Sequence, residues 1–231
     1  MDVHEFYCCL QGEGALVGLP SVLVRLQGCP FRCRWCDSKY AWKYQQGVDL
    51  TPERVVEQIN RWRCEFVIIT GGEPMADKDL SLRPGLVELT HLLKAEGKHV
   101  TIETAGVLYT PDLACDLMSI SPKLRNARAP QGDIRRYRAP ALNLGTIITL
   151  IHTYPYQVKF VIDSPQDLRE VHRIVEVLDG VKRDRIMLMP QASTREEFLE
   201  KAPSVADMCK QAGFRFGHRL HIVLWGNQRG R

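Results

Sequence analysis

The chain has 231 residues, of which 45% are hydrophobic, and its net charge is only +4. This length and composition predict one globular domain spanning residues 1–231. No segment reaches the roughly 18 consecutive apolar residues of a membrane-spanning helix, and the start of the chain lacks the pattern of a secretory signal. We therefore expect a cytoplasmic protein with no membrane partner.

Strand and helix patterns alternate along the chain. The predicted strands cover residues 21–27, 66–69, 99–103, 117–120, 157–162 and 185–189. Two predicted helices begin after Thr51 and at Pro84, and three more cover residues 142–151, 164–178 and 194–212. An extended tail is predicted over residues 214–231. Such alternation implies parallel strands with helical crossovers, and the number of units is too small for a closed eight-fold barrel. The sequence predicts an α/β fold of the partial (β/α)6-type TIM barrel.

Polar residues follow most of the predicted strands directly. These clusters are Gln27–Cys29, Thr70–Pro74, Glu103–Thr104, Ser121–Lys123 and Pro190–Gln191. In parallel α/β folds the carboxyl ends of the strands meet at one edge, where functional sites form. We expect these clusters to converge on one site.

Three of the eight cysteines lie in one short segment, residues 28–42, which we call the cluster loop. Cys29, Cys33 and Cys36 follow a C-x3-C-x2-C pattern, and thiolates are soft ligands suited to iron–sulfur clusters, zinc and cuprous copper. Three thiolates can hold three irons of a [4Fe–4S] cluster and leave the fourth iron open to a ligand. The remaining cysteines, Cys8, Cys9, Cys64, Cys115 and Cys209, are assigned to packing.

Zinc is the alternative metal for this cysteine pattern. It usually takes four ligands, and His218 or His221 is a candidate for the fourth. A second motif, Thr70-Gly-Gly-Glu-Pro74 after a buried strand, favours the cluster, because two glycines let a ligand approach the backbone closely. The cysteine spacing alone leaves both metals open.

The densest run of basic residues gives only a weak signal for nucleic acid. No interleaved aromatic residues or known RNA-binding module accompany it. We interpret it as a solvated loop, with a pocket for an acidic small molecule as an intermediate interpretation, and expect no direct nucleic-acid partner. The run comprises Arg125, Arg128, Arg135, Arg136 and Arg138.

The two motifs together resemble the radical-SAM superfamily. Within it, the chain is similar to the 7-carboxy-7-deazaguanine synthases. The similarity is carried by Leu10–Gly14, Arg25–Cys29, Trp35–Ser38, Ile69–Pro74, Glu103–Thr104 and Ser121–Lys123. Glycyl-radical activases share the cysteine spacing and remain an alternative, as does a metal-bearing binding module without catalysis.

The resemblance implies a carbon–nitrogen lyase of deazapurine and queuosine biosynthesis. Such an enzyme converts 6-carboxy-5,6,7,8-tetrahydropterin to 7-carboxy-7-deazaguanine with loss of ammonia, using a [4Fe–4S] cluster, S-adenosylmethionine and Mg²⁺. The reduced cluster would cleave S-adenosylmethionine, and the resulting radical would take a hydrogen from C6 of the pterin. The resemblance also implies a flavodoxin- or ferredoxin-type electron donor and a homodimer.

The resemblance assigns a role to each matching residue. Cys29, Cys33 and Cys36 would hold the cluster. The residues expected to contact S-adenosylmethionine are Trp35, Cys36, Asp37, Gly72, Ser121, Pro122, Lys123 and Gln191. Those expected to contact the pterin are Leu10, Gln11, Gly12, Glu13, Arg25, Thr70 and His221. Ser38 would bind Mg²⁺, and the planar guanidinium of Arg25 suits the carboxylate of the pterin.

Overall fold

The computed structural model describes residues 1–128, 142–226 and 228–231. Its strands are β1 Asp2–Leu10, β2 Pro20–Leu26, β3 Val48–Asp49, β4 Phe66–Gly71, β5 His99–Thr104, β6 Leu117–Ile120, β7 Tyr156–Ile162, β8 Ile186–Pro190 and β9 Arg215–Phe216. Its α-helices are α1 Pro52–Ile59, α2 Leu86–Ala95, α3 Leu144–Thr153, α4 Pro165–Val177, α5 Arg195–Ala212 and α6 Leu220–Trp225. Short 3₁₀ turns occur at Lys39–Ala41, Lys78–Leu80, Arg125–Ala127 and Arg183–Arg185.

The strands form one open sheet in the order β3-β1-β2-β4-β5-β6-β7-β8-β9. From β2 to β9 every neighbouring pair is parallel, whereas β1 is antiparallel to both β2 and β3. All six predicted strands are present in this parallel part, so the prediction of a partial α/β barrel is confirmed. Among the described residues, none of the helices has the length and apolar character that crossing a membrane requires.

The helix boundaries follow the capping residues read from the sequence. The side chain of Thr51 accepts a hydrogen bond from the backbone of Arg54 at the start of α1. The carboxylate of Asp167 accepts from the backbone of Ser164 over 2.9 Å at the start of α4. Gly213, with φ of +66°, ends α5 in the left-handed conformation that favours glycine.

Strands β1 and β3 and helix α6 differ from the sequence prediction, and β3 has only two residues. Strand β1 was absent from the prediction, because β1 is only partly buried and carries His4 and Glu5, which obscure its alternating pattern. The extended tail predicted over 214–231 is wrong for Leu220–Trp225, which form α6. Ile222 of this helix is fully buried and packs with Ala192 and Phe198, so a tertiary contact overrides the β propensity of the segment.

Strands β6 and β8 are buried along their whole length, as expected for parallel strands covered on both faces. The largest fully buried side chains include Phe160, Met118 and Ile102, one each from three neighbouring strands. The core therefore lies along the middle of the sheet and holds the strand ends in fixed relative positions.

The cluster loop is joined to the turn after β4 by backbone hydrogen bonds. The amide of Glu73 donates to the carbonyl of Gly28 over 2.9 Å, and the amide of Gly72 donates to Leu26 over 3.1 Å. The carboxylate of Glu73 is 1% exposed and accepts a 2.6 Å hydrogen bond from the hydroxyl of Thr104 at the end of β5. This joint fixes three strand ends relative to the cysteines.

Replacing Gly72 by alanine tests the joint. A Cβ at Gly72 would lie 2.3 Å from the backbone oxygen of Gly28 and 2.6 Å from the Cβ of Cys29. We expect Gly72→Ala to lower the free energy of unfolding by about 2 kcal/mol, as overpacking does, in urea denaturation. In the control Gly145→Ala, whose Cβ would meet its nearest atom at 3.6 Å, we expect no loss. Equal losses in both variants would contradict the importance of the joint.

Candidate active site

A cavity of about 520 Å³ lies at the carboxyl ends of the parallel strands. Residues that follow β2, β4, β5, β6 and β8 all line it, as do residues of β1, β7 and the C-terminal segment. The convergence of the polar clusters that follow the strands is therefore confirmed. The size of the cavity is in the range of small-molecule sites.

The cavity brings together nearly every residue predicted for the site. Its lining includes Leu10, Gln11, Gly12, Glu13, Arg25, Cys29, Cys33, Trp35, Cys36, Asp37, Ser38, Thr70, Gly72, Ser121, Lys123, Gln191 and His221. Pro122 is the exception, because it is buried between two lining residues and does not itself face the cavity.

The three cysteines of the cluster loop face the cavity, Cys29 and Cys33 as buried thiols and Cys36 as a half-buried one. Burial raises the pKa of Cys29 to about 12 and also raises the pKa of Cys33 and of Cys36. Thiols must lose their protons to bind metal, so metal binding here must release protons. Among the described residues, no three His, Cys, Asp or Glu side chains are placed to hold a single metal ion. A cubane cluster does not require such a set, because each cysteine binds its own iron.

Two features beside the thiols fit a radical-SAM cofactor. The indole Nε1 of Trp35 is buried and has no hydrogen-bond partner among the described residues. The ammonium of Lys123 lies 5.6 Å from the centre of the Trp35 ring and donates to the hydroxyl of Ser121 over 3.1 Å. Gly72 is packed directly against Gly28 and Cys29, since a Cβ there would clash with both. The wall thus offers an unused donor and a cation to a ligand.

Opposite charges form a network across the cavity. The ammonium of Lys159 lies 3.0 Å from Glu13 and 3.4 Å from Glu103. The guanidinium of Arg219 lies 3.0 Å from Glu13 and 2.5 Å from Asp37. Burial alone would raise the pKa of Glu13, but Lys159 and Arg219 outweigh it and hold that pKa well below its usual range. Glu13 is therefore an anion fixed between two cations.

A second ion-pair group surrounds Arg25. This buried guanidinium donates to Glu5 over 2.7 Å and to the carbonyl of Gly71 over 3.2 Å. The same carboxylate of Glu5 accepts hydrogen bonds from the Tyr40 hydroxyl over 3.0 Å and from Arg229 over 2.8 Å. The N-terminal strand and the C-terminal segment thus meet at the residue predicted to bind the carboxylate of the substrate.

The remaining predicted ligands are also held by short contacts. Ser38 donates to Asp37 over 3.0 Å, which places two oxygen ligands side by side. A Cβ on Gly12 would lie 2.1 Å from the Nδ1 of His221, so only glycine allows the imidazole this position. Burial lowers the pKa of His221, which keeps the ring neutral at neutral pH.

Comparison with known proteins agrees with this geometry. The profile of the Radical SAM superfamily matches residues 23–123. The chain is 38% identical to the 7-carboxy-7-deazaguanine synthase of Pyrobaculum aerophilum, over 99% of this chain and 96% of that protein. It is 36% identical to the synthase of Rhodopirellula baltica, over 99% and 88%. The chain belongs to the 7-carboxy-7-deazaguanine synthase family.

A solved structure shows the same fold. The crystal structure of QueE from Escherichia coli superimposes with a TM-score of 0.71 at 24% identity, over 95% of this chain and 94% of that chain. Membership of the radical-SAM superfamily implies a [4Fe–4S] cluster and S-adenosylmethionine. The cysteine loop and its neighbours supply suitable ligands and space for both.

Several residues of this deazaguanine synthase site lie outside the set that the sequence predicts. Lys159 and Arg219 were not singled out, and Cys9, assigned to packing, lines the cavity. Lys159 had a readable signal, since a lysine in the middle of the apolar strand β7 needs a buried anion. Arg219 had no such signal in the sequence, because its partner Glu13 is 206 positions away.

Replacing Lys159 by methionine tests the charged network. We expect Lys159→Met to lower the free energy of unfolding by about 3 kcal/mol near neutral pH, because it leaves Glu103 without its cation and Glu13 with Arg219 alone. A carboxylate whose pKa is lowered in the folded state stabilises the fold at pH values above its unfolded-state pKa of about 4.3. That stabilisation is lost as the pH falls through the folded-state pKa. The difference between wild type and variant should therefore shrink as the pH falls below about 4.

Lys210→Met is the matched control. Lys210 pairs with Asp207 over 2.6 Å, but both side chains are exposed on α5. Its loss should leave the free energy of unfolding almost unchanged, because exposed ion pairs contribute little. A Lys159→Met variant as stable as this control would show that the network is not important for the fold.

Proposed function

We propose that this chain is a 7-carboxy-7-deazaguanine synthase. It converts 6-carboxy-5,6,7,8-tetrahydropterin to 7-carboxy-7-deazaguanine with loss of ammonia, a step of deazapurine and queuosine biosynthesis. The observation that carries the proposal is that the three-cysteine loop and a carboxylate–cation network line the same cavity. Similarity to the family over almost the full length of the chain supports it.

The cysteine side of the cavity would hold the cofactors. Cys29, Cys33 and Cys36 are the ligands for the cluster, which when bound supplies the electron for reductive cleavage of S-adenosylmethionine. The residues assigned to S-adenosylmethionine are Trp35, Cys36, Asp37, Gly72, Ser121, Pro122, Lys123 and Gln191. The unpaired indole nitrogen of Trp35 supports this assignment, as does the cation of Lys123. Pro122 would act by shaping the backbone between Ser121 and Lys123.

The charged side of the cavity would bind the pterin. Arg25 offers a fixed, buried guanidinium to the carboxylate of the substrate. Glu13 and Glu103 can accept hydrogen bonds from the ring and amino N–H groups of the pterin, since carboxylates are acceptors only. Lys159 stays protonated because its carboxylate neighbours raise its pKa, although burial opposes them. It orients both acids rather than giving up a proton. The other residues assigned to the pterin are Leu10, Gln11, Gly12, Thr70 and His221.

We propose a magnesium site beside this pocket. The Ser38 hydroxyl is a hard oxygen ligand, and Mg²⁺ commonly binds few protein ligands and keeps several waters. Asp37 Oδ1 lies 3.0 Å from that hydroxyl and provides the negative charge that the site needs. The substrate carboxylate would complete the coordination.

An acidic flavodoxin- or ferredoxin-type protein is the proposed electron donor. Exposed cations surround the cluster loop, and the amide of Arg34 joins the loop to the turn at Arg125–Ala127 through a 3.0 Å hydrogen bond. The exposed basic residues are Arg34, Lys39, Lys43, Arg125 and Arg128. Arg135, Arg136 and Arg138 of the basic run lie outside the described residues. A homodimer in the cytoplasm is also proposed, on the resemblance to the family.

Product analysis tests the reaction. We expect the anaerobically reconstituted chain to form 7-carboxy-7-deazaguanine by mass spectrometry when S-adenosylmethionine, reductant, Mg²⁺ and the carboxylated pterin are supplied. Cys33→Ala should lose all detectable turnover, whereas Cys115→Ala, which removes a thiol outside the cavity, should keep it. A glycyl-radical activase would instead require a partner protein, and a zinc-binding module would form no product. Either result would refute the proposal.

Salt dependence tests the basic surface. Electrostatic steering weakens with ionic strength, so turnover with an acidic flavodoxin should fall as salt rises, whereas turnover with dithionite should not. Arg128→Glu should slow the flavodoxin reaction by about fivefold. Arg61→Glu is the control, because Arg61 precedes β4 and lies at the opposite edge of the sheet. Equal effects of the two variants would show that the electron donor does not bind the basic surface at Arg128.

A further inference from the structure

Two cysteines far apart in sequence lie close together outside the cavity. The sulfur atoms of Cys8 and Cys64 are 3.6 Å apart, although 56 positions separate the residues. Cys8 is exposed on β1, and Cys64 is 9% exposed in the segment before β4. We propose that these two thiols form a reversible disulfide cross-link.

A cross-link between Cys8 and Cys64 would span one strand of the sheet. Cys8 is in register with Val22 of β2, and β2 in turn pairs with β4, where Ser21 is opposite Phe66. Strands β1 and β4 therefore flank β2 and share no ladder hydrogen bonds with each other. A disulfide requires a sulfur separation of roughly 2 Å, so the two sulfur atoms must approach each other by about 1.5 Å.

The other three cysteines outside the cluster loop have different surroundings. Cys9 lies on the opposite face of β1 and lines the cavity, where burial raises its pKa to about 12. Cys115 donates to the carbonyl of Val100 over 3.7 Å, and Cys209 donates to that of Arg215 over 3.4 Å. The contact between Cys8 and Cys64 is therefore specific within the described part of the chain.

The cross-link would restrain the part of the chain that builds the site. The segment between Cys8 and Cys64 contains Glu13, Arg25 and the whole cluster loop. Closing it with a disulfide reduces the freedom of the unfolded chain and thereby stabilises the fold. Neither sulfur lines the cavity, so the cross-link leaves the ligand-binding surface in place.

The oxidant for the two cysteine thiols is a small disulfide such as oxidised glutathione. The exposed Cys8 thiolate attacks that disulfide, which forms a mixed disulfide and releases one glutathione thiol. The Cys64 thiolate then attacks the Cys8 sulfur and displaces the second glutathione thiol. Two cysteine thiols are oxidised, and one glutathione disulfide is reduced to two thiols.

Tryptic mapping of the anaerobic full-length protein tests the cross-link. After treatment with oxidised glutathione, we expect peptide 1–25 joined to peptide 64–78 by a bond that dithiothreitol cleaves. The melting temperature should rise by about 10 °C. Both effects should be absent in Cys8→Ser and in Cys64→Ser. Both should persist in Cys9→Ser, the matched control that removes the adjacent thiol in the same peptide.

Other outcomes would overturn the proposal. Glutathione remaining attached to Cys8 would show that Cys64 cannot reach it. A cross-link that persists in Cys8→Ser and is lost in Cys9→Ser would show that Cys9, on the other face of β1, forms the bond instead of Cys8. Unchanged thiols at all sites would show that the pair does not oxidise. The readouts are covalent mass and melting temperature, so they do not depend on the proposed catalytic activity.

Discussion

The backbone joint between the cluster loop and the turn after β4 is the constraint on which the site depends. Two amides of that turn bond to the carbonyls of Leu26 and Gly28, and the buried carboxylate of Glu73 extends the connection to β5. The approach is so close that residue 72 has no room for a side chain. Because the joint is made of backbone, it holds the cysteines at the edge where the other parallel strands end.

Charge complementarity then divides the cavity into two chemically distinct sides. On one side lie soft thiols whose pKa values are raised by burial, which suits metal ligands rather than a free nucleophile. On the other, Lys159 and Arg219 hold Glu13 as an anion, and Arg25 is held by Glu5. A polar, carboxylated ring system and a sulfonium cofactor require these two kinds of surface next to each other.

Local patterns predicted much of this arrangement, and long-range contacts account for the rest. The six parallel strands and the caps at Thr51 and Ser164 follow from periodicity and side-chain chemistry within a few residues. Arg219 could not be placed that way, because its partners Glu13 and Asp37 lie at the other end of the chain. Helix α6 was missed for a similar reason, since burial of Ile222 against distant residues decides its conformation.

The central claim is that the three thiols hold a [4Fe–4S] cluster whose remaining iron binds S-adenosylmethionine. Electron paramagnetic resonance of the reconstituted, reduced protein tests it most directly, because the spectrum reports on the ligands of the cluster. The account predicts the signal of a reduced [4Fe–4S] cluster and a shift of its g values when S-adenosylmethionine is added. A cluster signal that S-adenosylmethionine leaves unchanged, or a protein that takes up zinc and no iron, would contradict the account.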